Sequence, residues 1–455
     1  MSLYLLFPYL VLFIFIGFRL IVQNKKMGYV GVYSGFSFGM LVYYVVVPSL
    51  VIVNIERIVL ENQLYLWFVK EKDTVYFIYS MVLTLFGFVF LNIGYNSTIG
   101  SRIHQHRFVD DSRFNQATVL KVFSGFGYFT FIVGGVSFAL FLRAFGGVSA
   151  ALRMAEINRS FATSLSHLVP GRAYLFYVPA RLISVSPYLF AVLMFNRRKV
   201  SDKVVFVVSF ILTIVFYLFN AGKAPLVIFF LSFLIVPAKQ IMEKVWMKIV
   251  VSGLVMMPLL DVLDELFVFF ATGKWEQFQI NYPKYVIQFA FPYRNILNVL
   301  DMVAKSGLRL GGDFVTAFIN FIPGVNFQRS YEQTSWFFSG DSWRVTGGIP
   351  NDAITFAYLQ FGLLGVGVVF FVLGRIFSRV DEAVQRLPKG PTKDLVLGTL
   401  VLNSFFLVSS SDFEAFLRNN YVTFTLFISL FLLRVRDPVP HLHYSLSKRE
   451  NMTRF

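Results

Sequence analysis

Roughly eleven apolar runs of bilayer-spanning length follow one another along this 455-residue chain and leave little of it for a water-soluble fold. They cover about residues 3–22, 29–53, 75–93, 120–142, 173–195, 204–219, 226–236, 249–270, 352–374, 395–409 and 421–433. A bilayer offers no water to backbone N–H and C=O groups, so each run has to pair its own as a helix. The pattern predicts an all-α, polytopic integral membrane protein of about 11 transmembrane helices. Composition agrees, with 56% hydrophobic and 18% aromatic residues. The first run is not a cleaved leader, because no basic residue precedes it and no small-x-small site follows.

Lys and Arg set the orientation. The net charge of +16 gathers in short segments between runs, such as Arg197, Arg198, Lys199 and Lys203, and Arg375, Arg379, Arg386, Lys389 and Lys393. Such segments stay on the cytoplasmic side. This places the amino terminus outside and the tail from Arg434 inside. With neither a strongly basic tail nor a low-complexity tract, the charge gives no reason to expect a nucleic-acid partner. The chain contains no cysteine, which excludes disulfides, thiol catalysis and thiolate-held metal. His104 and His106 lie on the inner side without a zinc-ligand pattern, so neither metal nor cofactor is expected.

The polar exception is a stretch of about eighty residues, 271–350, that carries Glu276, Lys284, Arg294, Asp313, Arg329, Glu332, Asp341 and Arg344 with Trp275, Trp336 and Trp343. Loops beyond roughly 12–15 residues are functional or disordered, and this one is too aromatic to be disordered. The chain thus divides into residues 1–270 (helices one to eight, with a basic outer loop at 143–172), 271–350 (the large outer loop) and 351–455 (helices nine to eleven and the tail).

Cations kept on the translocated side oppose the topology signal and invite a functional reading. The set is Arg153, Arg159, Arg172, Arg181, Lys223, Arg294, Arg329 and Arg344. The planar guanidinium matches phosphate with two parallel charge-assisted hydrogen bonds, which suits a lipid-linked pyrophosphate. The alternative is headgroup anchoring. Arg181 falls about two turns inside the fifth run, where a charge has to face the bundle interior or a water-filled cavity. Lys223 sits in a tight turn, either over a cleft or on the surface. Asp261, Asp264 and Glu265 close the eighth run, either as an ion or proton path or simply beyond its end.

The loop ends at Gly347-Gly348-Ile349-Pro350-Asn351-Asp352 and runs into Tyr358-Leu359-Gln360-Phe361-Gly362-Leu363-Leu364-Gly365. This transition resembles that of the Wzy-type oligosaccharide repeat-unit polymerases of O-antigen and capsular polysaccharide, whose last long outer loop leads into Tyr-x-x-Phe-Gly-x-x-Gly. Gly146-Gly147-Val148-Ser149-Ala150 is similar to their Gly-Gly outer segment. Asn220-Ala221-Gly222-Lys223 stands at their Gly-Ser-Arg-like turn, with Lys in place of Arg. Arg329 and Gly340 repeat an Arg-x10-Gly spacing seen in some members.

The resemblance implies an enzyme of the bacterial inner membrane that joins undecaprenyl-diphosphate-linked repeat units on the periplasmic face by glycosyl transfer. A flippase and a chain-length regulator would be partners. It implies Arg153, Arg159, Arg172, Arg181, Lys223 and Arg294 on the diphosphate. Arg329 and Arg344 would join the chemistry, with Glu332, Asp341 or Asp352 as general base. The alternatives are an O-antigen ligase, which shares the layout, and a flippase for the same lipid-linked unit.

Overall fold

The computed structural model describes residues 3–27, 29–53, 72–99, 114–153, 174–197, 199–219, 223–235, 262–263, 265–266, 269, 282–320, 327–340 and 349–436. Among these the chain is helical, without strands, and seven helices are long and apolar enough to cross a membrane.

The spanning helices are α1 (Leu6–Met27), α2 (Val32–Leu41, continued through a π-helical turn at Val42–Val46), α3 (Thr74–Ile99) and α4 (Gln116–Ala144). A short α5 (Val148–Arg153) follows. The fifth span is interrupted: α6 (Tyr174–Ala180) passes through a 3₁₀ turn at Arg181–Ser184 into α7 (Ser186–Arg197). Next come α8 (Val200–Phe219) and α9 (Lys223–Ile235), which is only 13 residues long. The loop segment contributes α10 (Tyr282–Leu297), α11 (Val299–Ser306), α12 (Gly312–Ile319) and α13 (Ser330–Ser339). The chain then returns through α14 (Ala353–Gln385), α15 (Pro391–Leu407), α16 (Phe413–Asn419) and α17 (Tyr421–Arg436).

Seven of the eleven expected spans therefore appear at full length. The seventh, tenth and eleventh are the shorter helices α9, α15 and α17, and most of the eighth lies outside the described residues. The ninth is longer than its apolar run because its helix continues eleven residues past Gly374 to Gln385.

The centre is the pair α3 and α14, the most extensively packed pair among the described helices. They run parallel. Tyr79 Oη donates to Tyr358 Oη at 2.9 Å near one end, and Tyr95 Oη donates to Asp381 at 2.9 Å near the other. Glycine permits the contact. A Cβ at Gly94 would overlap the Phe371 carbonyl oxygen, and one at Gly374 would overlap that of Leu91. Small residues at helix crossings let backbones meet in lipid. Asp381 also holds the start of α2, accepting from Val32 N at 2.7 Å. It is a cap borrowed from a neighbouring helix, which satisfies orphan N–H groups and a buried carboxylate together.

These contacts separate two ends. Arg197, Arg386, Lys393 and Arg434 collect at one, where Arg197 donates to the Leu120 carbonyl at 3.1 Å and Arg386 pairs with Glu382 at 2.6 Å. The start of α1, the loop helices and the α15–α16 connection gather at the other, where Tyr4 Oη meets Thr74 Oγ1 at 3.2 Å.

The loop segment is not a free appendage. Ala290, Tyr293, Ile296 and Leu297 of α10 are buried in the main core, and Tyr9 Oη donates to Tyr293 Oη at 3.1 Å. Lys72 pairs with Asp301, which also accepts from Tyr76 Oη at 3.1 Å and so ties α11 to α3. The sequence hid this because α10 carries Lys284 and Arg294 among its aromatics.

Candidate functional site

A polar cluster occupies the loop end of the bundle, built on a break in α14. Phe361 (φ −142°, ψ 26°) and Gly362 (φ 63°, ψ −143°) leave helical geometry. Gly362 occupies a region essentially confined to glycine. Residues eight apart in a straight helix lie about 12 Å from one another. Here a Cβ on Gly365 would overlap the Ala357 carbonyl oxygen, so the chain bends sharply. The Tyr-x-x-Phe-Gly-x-x-Gly pattern is thus the local recipe for a bent helix.

The break frees two carbonyls, and the loop fills them. Arg309 N donates to the Leu359 oxygen and Leu310 N to the Gln360 oxygen, both at 2.8 Å. Gln360 Nε2 donates to Asp313 Oδ2 at 2.5 Å, and Asp313 Oδ1 accepts from Arg309 Nε at 2.7 Å. The two freed carbonyls and the Asp313 carboxylate thereby gain partners.

Above it, Arg329 enters α13 and pairs through Nε with Glu414 Oε1 at 3.0 Å. Its Nη1 donates to Tyr331 Oη at 2.7 Å and lies 4.0 Å from Glu332 Oε1. Glu414 Oε2 accepts from Asn320 Nδ2 at 2.8 Å, which joins the end of α12 to α16. Burial resists the Arg329 charge, but Tyr331, Glu414 and Glu332 more than compensate and hold its guanidinium more firmly protonated than usual. Burial raises Glu332 above the ordinary carboxylate range despite the nearby Arg329. A carboxylate of raised proton affinity beside a fixed cation is an arrangement that acid–base chemistry can use.

Asp412 is the buried hub. It accepts from Ser330 Oγ, from Asn351 N at 3.0 Å and from Asn351 Nδ2 at 3.1 Å. Burial pushes its carboxyl up to about 7 from the usual 3.8, against those donors. The folded state therefore holds the proton more tightly than the unfolded chain. The stabilisation is complete below pH 3.8 and is lost as pH rises through about 7. Thermal unfolding in detergent micelles is expected to show a lower Tm at pH 8 than at pH 5.5, and Asp412→Asn is expected to shrink that difference. An unchanged slope in the variant would assign the pH dependence elsewhere.

Of the residues expected from sequence, Arg329 and Glu332 come together. Asp352 is placed differently. It is the fully buried N-cap of α14 and accepts from Ile354 N and Thr355 N at 3.1 Å and from Tyr44 Oη at 2.6 Å. Where the sequence suggests a general base, the structure shows the cap of a helix that starts just after Pro350-Asn351. Arg294 is buried, with its Cζ 4.0 Å above the Phe338 ring. Arg181 lies 4.6 Å over the Tyr177 ring, within the fifth span. Arg153 and Lys223 mark the ends of α5 and α9. Arg159, Arg172, Asp341 and Arg344 lie outside the described residues, as do Asp261 and Asp264.

Sequence reasoning named Asp313 only as one of the loop's charges and missed Arg309, Asp412 and Glu414. The available signal was the pair of carboxylates in the short segment 410–420, which carries only one basic residue, Arg418. Among the described residues, no group of His, Asp or Glu side chains is arranged to hold a metal ion. Comparison with family models, with curated proteins and with solved structures finds no match.

Proposed function

We propose that the protein is a membrane glycosyltransferase that lengthens a polysaccharide from lipid-diphosphate-linked oligosaccharide units, acting at the loop end of the bundle on the outer face of a bacterial inner membrane. The observation that carries this reading is Glu332. It is half-buried, raised by burial, and set beside the Arg329–Glu414 pair at the mouth of a helical membrane bundle. The resemblance of the Tyr358–Gly365 stretch to repeat-unit polymerases points the same way.

In this mechanism a sugar hydroxyl of the incoming unit attacks the anomeric carbon of the growing chain. Its proton passes to Glu332, and the anomeric carbon–oxygen bond breaks with its electron pair leaving on the lipid diphosphate. Arg329 keeps Glu332 oriented, and Glu414 balances the arginine. The diphosphate charge falls to the basic residues that the sequence assigns to the outer side, Arg153, Arg159, Arg172, Arg181, Lys223, Arg294 and Arg344. Donors fixed where charge develops stabilise the transition state. An undecaprenyl-linked repeat unit is the proposed substrate, with a flippase and a chain-length regulator as partners.

The test is the surface polysaccharide of cells lacking this gene, resolved on gels. A single repeat unit on lipid A core with the ladder gone supports the proposal. Full-length polymer left on the lipid carrier identifies a ligase instead. Absence of repeat units from the outer face identifies a flippase, and the role given to Glu332 falls with either result.

A further inference from the structure

Helix α12 is amphipathic in the sense opposite to that of a helix in water. Its carboxylate residue, Asp313, is 5% exposed, and Ala317, one turn on, is fully buried. Val315 and Phe318, on the other side, are 60% and 61% exposed. A helix between a protein core and water turns its apolar stripe inward and its charges outward. Here the polar side faces protein, where Asp313 is taken up by Arg309 and Gln360.

The residues leading into α12 repeat the pattern. Leu310 is 70% exposed and has a φ of 50°, a left-handed conformation that leucine rarely adopts. Its N–H is fixed on the Gln360 carbonyl, so the backbone is pinned to the break while the side chain is presented outward. The apolar face is also continuous with a transmembrane surface. The Phe361 ring packs over Gly311, and Phe361, Leu364, Val368, Val372 and Ile376 form an exposed stripe at helical spacing down α14. That stripe belongs to a helix long and apolar enough to cross the bilayer. A depth marker stands on α13, where exposed Trp336 has Lys305 Nζ 4.3 Å over its ring. Trp is enriched at headgroup level, and a long basic side chain reaches it by snorkelling.

We propose that α12, with Leu310, is seated in the hydrocarbon margin of the bilayer, with Val315 and Phe318 among lipid acyl chains and Asp313 turned into the protein. The segment lies beside the membrane-spanning part of α14 and covers its break from the lipid side. The Arg309–Asp313–Gln360 cluster is then one helix thickness from lipid, at a depth that an amphiphile diffusing in the leaflet can reach sideways. This holds for a transporter as well as for a transferase, so it stands apart from the proposed chemistry.

The absence of cysteine makes the test direct. Val315→Cys and Phe318→Cys, each labelled with a nitroxide, are compared in vesicles of phosphatidylcholine and phosphatidylglycerol with Leu364→Cys as the membrane reference and Gln328→Cys as the loop reference. All four positions are exposed, so the label displaces no core side chain. Power-saturation electron paramagnetic resonance is expected to give higher collision rates with oxygen than with a water-soluble nickel chelate at 315 and 318, as at 364, and the reverse at 328. Nickel-dominated relaxation at 315 and 318 would place α12 in water. Exclusion of both reagents would mean that a second protein surface covers it. Either result overturns the assignment to lipid.

Discussion

Gly374→Val is expected to eliminate folded protein from detergent extracts, whereas Gly17→Ala and Gly125→Ala leave yield and Tm near those of the parent. At Gly374 a Cβ would overlap the Leu91 carbonyl oxygen and lie 2.7 Å from the Tyr95 nitrogen and 3.1 Å from the Gly94 carbon. All three are backbone atoms of α3, so no side-chain rotation relieves the overlap. Overpacking a core costs about 1–3 kcal/mol where side chains yield, and more where they do not. Against a total stability of roughly 5–15 kcal/mol, forcing apart the most extensively packed pair among the described helices removes most of the margin. At Gly17 and Gly125 a Cβ meets nothing within 4 Å, which makes them fair controls. Gel filtration of the extracted protein gives the readout. A monodisperse Gly374→Val variant with the parental Tm would show that α3 and α14 do not meet at this crossing.

The second large effect is expected at Arg329. In Arg329→Ala, Glu414 keeps the Asn320 amide but loses the Arg329 guanidinium, with its side chain 8% exposed. Breaking a buried ion pair from one side costs about 3–5 kcal/mol, because the remaining charge stays desolvated. The variant is expected to lose both stability and polymer. The double variant Arg329→Ala/Glu414→Gln also removes the carboxylate charge that faced Arg329 and is expected to recover Tm without recovering the ladder. Glu332→Gln is expected to keep Tm and to lower polymerisation about 10²–10⁴-fold, the range for a positioned base. A normal ladder in Glu332→Gln would end its assignment as the proton acceptor. Recovery of polymer in the double variant would reduce Arg329 to a structural counter-ion.

The sequence and the structure agree most closely where one physical force dominates. Apolar runs gave spans 1–6 within about six residues, and the start but not the end of span 9, because bilayer thickness sets both length and composition. Arg329 and Glu332 were legible as candidates because charge and aromatics in a long loop demand a reason, and their three-residue spacing in a helix brings them together. Asp352 was not legible as a cap. A carboxylate after Asn351 serves equally as base or N-cap until the hydroxyl of Tyr44, 308 residues away, is seen upon it. Asp412 and Glu414 were passed over because a short segment offers little pattern, and only the fold brings them to Ser330 and Arg329. The Phe361–Gly362 break was hidden inside a continuous apolar run, where hydropathy does not register backbone angle. α10 was misjudged because its charges outweighed Tyr293 and Ile296 in a reading by composition.

The parallel pairing of α3 with α14 also has a consequence for synthesis. Tyr95 and its partner Asp381 are 286 residues apart in the chain. At about 5–20 residues per second, roughly 15–60 s pass on the ribosome between the emergence of one and that of the other. Through that interval the start of α2 has no carboxylate cap, and Gly94 borders lipid or insertion machinery instead of the backbone at Phe371. The first fifth or so of the protein, through α3, thus waits in the membrane for its central partner to be made, and any factor that shields a bare glycine face and an uncapped helix end during that wait acts on the yield of the finished bundle.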